Sequence, residues 1–241
     1  MHKNTWLWIV CAVLAVAVLA MGVFLATQLT GRGAPSAQTA EQTAAPAAQS
    51  VTPATPEPTP APEPADTDLV VVQDYIPTLY VELRYATTNN FTGQQIYDFT
   101  EARLRYGTVK KLMRVQETLL QQGYSLKIWD AFRPVSAQFR LWEVCPNGAY
   151  VANPNTGYSS HSRGNTVDLT MVRADGTEIP MPSGFDEFSA LADRNYSDVS
   201  AQARQNVAVL EAAMQAEGFV GYSAEWWHYS DGVVYDVVTE G

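Results

Sequence analysis

Hydrophobic and polar residues follow three different plans along this 241-residue chain. Trp6–Leu29 is almost continuously apolar and carries no charge. Between Gly33 and Asp68 there is no aromatic residue and no Leu or Ile, so nothing repeats with a helical or strand period. From Leu69 onward both periods appear. Leu69–Gln73 reads as a short buried strand and Leu79–Arg84 as a second extended piece. In Tyr106–Gln122, apolar residues at Val109, Leu112, Met113, Val115, Leu119 and Leu120 mark one face of a helix, and Gly123 closes it. Tyr124–Trp129 alternates as a strand. Pro134 suits the first turn of a helix that runs to about Cys145. Thr166–Val172 reads as a strand followed by the turn Ala174-Asp175-Gly176-Thr177. Ser200–Glu217 is a second long helix stopped by Gly218. Phe219–Tyr222, Glu225–Tyr229 and Val233–Val238 read as short strands, the last two joined through Asp231-Gly232. Strands with turn signals and a few helices, without βαβ alternation, predict an α+β fold with a mainly antiparallel central sheet flanked by helices.

Composition gives the first two segments their own roles. A bilayer core of roughly 30 Å takes about 20 apolar residues as a helix, and Trp6–Leu29 exceeds that length. It is also longer than a secretory h-region of about 7–15 residues, and Pro35 interrupts the small residues that follow it. We therefore expect residues 1–32 to form an uncleaved membrane signal anchor, with a removed signal peptide as the alternative. Eight of the 14 prolines fall in residues 33–68, alternating through Pro53–Pro64, which favours an extended, disordered linker. A stalk of that kind suits a catalytic domain, residues 69–241, held outside the cytoplasm at the cell membrane.

The net charge of −10 divides into +2, −5 and −7 over these three parts. An acidic domain without a Lys/Arg run argues against nucleic acid as a partner, since phosphate neutralisation supplies most of such affinity. Of the two cysteines, Cys11 lies in the apolar run and Cys145 in the domain, which excludes a disulfide within the domain. Cys145 reads as a small buried hydrophobe.

The domain holds two histidines, His161 and His228, each beside a carboxylate. One cluster is Ser159-Ser160-His161-Ser162-Arg163-Gly164-Asn165-Thr166-Val167-Asp168; the other is Glu225-Trp226-Trp227-His228. Two imidazoles and a carboxylate make a usual three-ligand set for catalytic Zn²⁺, with a fourth position left for water or substrate. A fold-back at Gly164 can bring His161 and Asp168 to one ion, and Glu225 can stand beside it as a base. Spacing alone leaves two ordinary hydrogen-bonded histidines equally open.

The pattern SxHxxGxxxD followed by ExWH resembles the zinc D-alanyl-D-alanine dipeptidases and the related metallo-D,D-carboxypeptidases of bacterial cell walls. Three further segments resemble the dipeptidase branch: Tyr85-Ala86-Thr87-Thr88-Asn89-Asn90-Phe91-Thr92-Gly93, Asp130-Ala131-Phe132-Arg133-Pro134 and Gly184-Phe185-Asp186-Glu187-Phe188. The resemblance implies a Hedgehog/D,D-peptidase-like fold with one Zn²⁺ per domain, held by His161, Asp168 and His228. It implies Glu225 as general base and then acid, and Arg133 as the cation that stabilises the transition state. Thr166 departs from the family's usual alanine, placing a hydroxyl near the ligands. Asp186 is the candidate partner for a substrate ammonium and Ser159 for its carboxylate. Trp226 and Trp227 are expected in the core and the pocket wall.

Three functions follow from these residues. The first is hydrolysis of the D-Ala-D-Ala dipeptide to two D-alanines. The second is a D,D-carboxypeptidase that removes the terminal D-Ala of peptidoglycan stem peptides. The third, of another class, is a non-catalytic wall-binding module, against which the retention of Glu225 and Arg133 counts.

Overall fold

The computed structural model describes residues 62–148 and 150–239. Two sheets organise them. In the smaller, β1 (Leu69–Val71) pairs antiparallel with β3 (Arg103–Arg105). The larger has five strands in the order β2-β4-β5-β7-β6. Its members are β2 (Tyr80–Val81), β4 (Tyr124–Asp130), β5 (Thr166–Arg173), β6 (Phe219–Gly221) and β7 (His228–Asp231). Only the edge pair β2–β4 is parallel. The expected α+β class with a mainly antiparallel sheet is what the chain adopts.

Between the strands lie a helical turn α1 (Val72–Tyr75) and three longer helices. These are α2 (Tyr106–Leu120), α3 (Val135–Val144) and α4 (Ala201–Ala216). Helix α2 buries the stripe Val109, Leu112, Val115 and Leu119, the face its sequence period marks, and packs against β4 and α4. Ser200 caps α4, its hydroxyl accepting a hydrogen bond from the Ala203 amide. Along β5 the odd positions Val167, Leu169 and Met171 join these helices in one apolar core. Strand alternation turns Thr166, Asp168 and Thr170 to the other face, where they too are buried. A buried row of polar groups on a central strand must find polar partners, and that face carries the chemistry described below.

Several local expectations change. The first strand stops at Val71 because the chain turns helical at Val72, so the apolar run Leu69–Gln73 is divided between β1 and α1. Glu225 is not in a strand: β7 begins at His228, and Tyr222–Trp227 forms the connection from β6. Val233–Val238 is not a strand and Asp231-Gly232 joins no hairpin. The segment instead runs along the Ser160–Arg163 turn, with the Val238 amide donating to the Ser162 carbonyl and Arg163 to that of Tyr235. Residues 63–68, grouped with the linker by composition, are bonded to the domain through Glu63, Asp66, Thr67 and Asp68. The apolar run Trp6–Leu29 and most of the Pro-rich segment lie outside the described residues. Among the described residues no helix is long and apolar enough to cross a membrane.

Candidate active site

Strand register brings three polar residues into one row across the larger sheet. Asp168 on β5 stands opposite His228 on β7 and opposite Asp130 on β4. The register of β4 shifts between Ile128 and Asp130, a bulge at Trp129. That extra residue is what puts Asp130, rather than Trp129, beside Asp168. His161 arrives from the 3₁₀ turn Ser160–Arg163, which ends at Gly164 in the left-handed region (φ 74°). A Cβ at Gly164 would lie 2.7 Å from Leu69 Cδ2, so close approach as well as backbone conformation calls for glycine.

One ligand atom from each of His161, Asp168 and His228 falls within 4.8 Å of the others. His161 Nε2 lies 3.3 Å from Asp168 Oδ2, and His228 Nδ1 lies 3.0 Å from Asp168 Oδ1. With metal–ligand bonds of about 2.0–2.2 Å, separations of this size allow the three residues to share one Zn²⁺. Proton placement agrees. The Nδ1–H of His161 donates to the Ala131 carbonyl at 2.8 Å, which leaves Nε2 as a lone pair turned inward. His228 turns Nε2 toward Ser160 Oγ at 3.4 Å and Nδ1 toward Asp168. Asp168 Oδ1 is buried and has no hydrogen-bond partner. Burial works against its negative charge, but the two imidazoles, when protonated, outweigh it and hold the carboxyl well below the usual range. A buried carboxylate oxygen facing ring nitrogens fits a divalent cation, and these three residues would hold it.

Glu225 stands beside this centre without joining the ligand set, its Oε2 3.5 Å from His228 Nδ1. Burial, then the negative charge of Asp168, push its carboxyl upward, toward the range of a working base. Arg133 is held in a polar cage. Its Nε donates to Tyr97 Oη (3.1 Å) and Asp130 Oδ2 (3.2 Å), Nη2 to Asp130 Oδ2 (2.6 Å), and Nη1 to Gln138 Oε1 (2.8 Å). Tyr97 Oη in turn donates to Asp130 Oδ1 at 2.7 Å. A guanidinium has five N–H donors, so this cage leaves each terminal nitrogen a further N–H for the cavity that Arg133 lines. That cavity, about 310 Å³, also contains Ser159, Asp186, Glu225 and the three ligand residues. At Asp186 the backbone is left-handed (φ 51°), and Oδ2 accepts a 2.6 Å hydrogen bond from Tyr85 Oη. Burial raises the Asp186 carboxyl to about 8.

Comparison with known proteins agrees with this geometry. Residues 65–236 match the family model described as D-ala-D-ala dipeptidase. A D-alanyl-D-alanine dipeptidase of Escherichia coli is 37% identical over 163 residues, covering 68% of this chain and 84% of the relative. Another, from Enterococcus faecium, is 34% identical over 168 residues, with 61% and 83% covered. The chain belongs to the D-ala-D-ala dipeptidase family. Among solved structures, a zinc complex of a point mutant of the vancomycin resistance D,D-pentapeptidase VanY has a TM-score of 0.36 and 14% identity, covering 56% of this chain and 75% of that one.

All seven site residues expected of a family member meet in this one cavity: His161, Asp168, His228, Glu225, Arg133, Asp186 and Ser159. Trp226 and Trp227 do not. Both are fully buried in an aromatic cluster with Trp129 and Phe185, as core rather than pocket wall. The Thr166 hydroxyl that departs from the family pattern pairs with Ser230 Oγ at 2.8 Å. Thr166 and Ser230 are the next same-face pair beyond Asp168 and His228, so the hydroxyl ties β5 to β7 beside the ligands. Four contributors carried no separate signal in sequence: Tyr85, which holds Asp186, and Tyr97, Asp130 and Gln138, which hold Arg133. Tyr85 and Asp130 open two of the family-like segments, the cue that marks them.

Proposed function

We propose that this chain hydrolyses the D-Ala-D-Ala dipeptide to two D-alanines in a zinc-dependent reaction. The observation that carries the proposal is the placement of Asp186, an acid held by Tyr85, in the same cavity as the ligand triad, Glu225 and Arg133. A dipeptide brings a free ammonium to such an acid. A stem peptide brings an uncharged amide there, which leaves the buried carboxyl with its Tyr85 hydrogen bond but no cation to pair with.

Bound by His161, Asp168 and His228, zinc supplies the Lewis acidity that makes a water acidic near neutral pH. Glu225 takes a proton from the attacking water on its carboxylate and passes it to the leaving amine. Arg133 directs its remaining N–H groups at the oxyanion that develops on the scissile carbonyl, and its cage means little reorganisation as charge appears. Asp186 anchors the ammonium and Ser159 the carboxylate end. Binding a cation draws the Asp186 carboxyl down from about 8 into its charged form, and the proton it loses passes to solvent.

The domain is proposed to work outside the cytoplasm, tethered at the cell membrane by the apolar run Trp6–Leu29 and the Pro-rich segment after it. That position motivates the second reading, removal of terminal D-Ala from stem peptides, because wall peptides are the substrates at hand there. The zinc-loaded full-length protein should release D-Ala from the dipeptide, lose activity to chelator and regain it with Zn²⁺. In competition with a pentapeptide stem it should favour the dipeptide by orders of magnitude. A preference for the pentapeptide would instead establish the carboxypeptidase, and no turnover of either substrate would overturn both.

A further inference from the structure

The connection Tyr222–Trp227 and the start of β7 carry both Glu225 and His228, so their relative placement depends on how that backbone is held. Within it the Glu225 amide donates to the Tyr222 carbonyl at 3.2 Å and the His228 amide to the Glu225 carbonyl at 3.3 Å, both long. The Trp226 amide also donates to the Ala192 carbonyl (2.8 Å) and the Tyr222 amide to that of His228 (3.1 Å), and a side chain outside the cavity adds to these. Arg194 donates from Nε to the Tyr222 carbonyl (2.8 Å) and from Nη2 to the carbonyls of Trp226 (2.9 Å) and His228 (2.9 Å). Its own amide donates to the Ser223 carbonyl at 3.1 Å. One side chain therefore grips both flanks of Glu225 and the backbone of His228.

The guanidinium is itself fixed. Its Nη1 pairs with Glu211 on α4 and donates to Tyr229 Oη at 3.3 Å, and its Cζ lies 4.4 Å from the centroid of the Tyr229 ring. Tyr196 Oη donates to the same Glu211 oxygen at 2.7 Å. All five N–H donors of Arg194 are thus assigned, three of them to this backbone. Room for the planar group is made by Gly221, where a Cβ would lie 2.3 Å from Arg194 Cζ. Lysine cannot copy this fork, because one ammonium cannot reach three divergent carbonyls.

We propose that Arg194 is a positioning residue for the reaction: it acts through the backbone to set the spacing of the Glu225 carboxylate and His228 Nδ1. The inference rests on the proposed roles of Glu225 and His228. Its test uses the full-length protein with Arg194→Lys, Arg194→Met and Gly221→Ala, the last leaving the arginine in place but displacing it. Measured quantities are zinc affinity by chelator competition, kcat and KM for D-Ala-D-Ala per zinc-loaded molecule, and thermal stability. Zinc affinity should fall about 10–100-fold, as when a group that orients a ligand is removed. The kcat should fall by a similar factor while KM stays within about threefold, because Asp186 and Ser159 lie on other segments. Arg194→Lys, which keeps the charge facing Glu211, should resemble Arg194→Met in kcat. If Arg194→Met does not fold, Arg194→Lys and Gly221→Ala decide the matter. Folded variants with lower melting temperature but zinc affinity and kcat within twofold of wild type would reduce Arg194 to a structural residue and overturn the proposal. An inactive, zinc-free wild type would overturn the functional reading instead, so the two failures are distinguishable.

Discussion

At the scale of single residues, the site is a set of charges each held by its neighbours rather than by solvent. Glu225 and Asp186 are both acids in one cavity, yet they are assigned opposite tasks, and substitution separates them. Glu225→Gln keeps the shape and loses the proton acceptor. We expect kcat to fall about 10²–10⁴-fold, with zinc content unchanged by metal analysis, because Glu225 is outside the ligand set. Asp186→Asn should act mainly on KM for the dipeptide and spare zinc binding. It should also change stability with pH. Burial raises the folded carboxyl to about 8, against roughly 3.9 when unfolded. Between those values the folded chain holds a proton that the unfolded chain has lost. The stabilisation that proton brings is complete below about pH 4 and disappears as pH rises toward 8. In zinc-free protein, Asp186→Asn should therefore gain on the wild type as pH rises from 4 to 8. Each kcal/mol of that gain appears as about 2–4 °C in melting temperature for a chain of this size. Parallel melting curves across the range would show that the carboxyl is not held up by its surroundings.

At the scale of elements, catalytic geometry is set where regular structure is interrupted: the bulge at Trp129, the 3₁₀ turn before β5 and the irregular link before β7. Gly164 tests the second of these. Alanine there must hold φ near 74° and meet Leu69 Cδ2 and Arg105 Cγ, which lie 2.7 and 3.3 Å from the Cβ position. We expect a loss of about 1–3 kcal/mol in denaturant unfolding, together with weaker zinc binding, since the same turn carries His161. Unchanged zinc affinity would separate the turn from the ligand. These interruptions also mark how far the sequence could be read. Helices α2, α3 and α4 and strands β4 and β5 end within two residues of their expected bounds, because each has a strong period and a chemical stop such as Gly123, Ser200 or Gly218. The proposed ligands were legible because the domain has only two histidines, each in a cluster with a carboxylate. Strand β3 was not: Arg103-Leu104-Arg105 is too short and charged to show a period, and it pairs only because β1 lies alongside. Val233–Val238 failed in the other direction: Tyr235 is buried, but Val233 and Val234 are exposed and no strand pairs with the segment. Arg194 was invisible for a deeper reason. Its partners are mostly carbonyls, which every residue has, so no side-chain pattern could reveal them.

At the scale of the whole molecule, the point at issue is where the Pro-rich segment gives way to the folded domain. Composition puts that point at Asp68, because the prolines and small polar residues run to it. Hydrogen bonding puts it earlier. Helix α2 has no side-chain cap at Arg105, yet its first two amides are satisfied: Tyr106 donates to the Asp68 carbonyl at 2.8 Å and Gly107 to that of Asp66 at 3.1 Å. Glycine at 107 leaves room here, as a Cβ would meet Tyr235 Oη at 2.6 Å and lie 3.2 Å from Asp66 Cβ. Tyr106 Oη donates to Glu63 Oε1 at 2.7 Å, and Arg105 reaches the Thr67 carbonyl. The family match, which begins at residue 65, falls at the same place. A chain that starts at Leu69 leaves two buried helix amides unpaired, at about 1–3 kcal/mol each. A chain that starts at Pro62 keeps them. The shorter form should melt about 4–24 °C lower, counting 2–4 °C per kcal/mol. Lys110→Met removes the exposed pair with Asp66 and should shift melting by no more than about 2–4 °C, because exposed ion pairs contribute roughly 0–1 kcal/mol. That control assigns the effect to the backbone cap and not to lost charge. Equal melting of the two truncations would return the boundary to Leu69. A lower value for the shorter form makes residues 63–68 part of the folded unit and moves its boundary before Asp68.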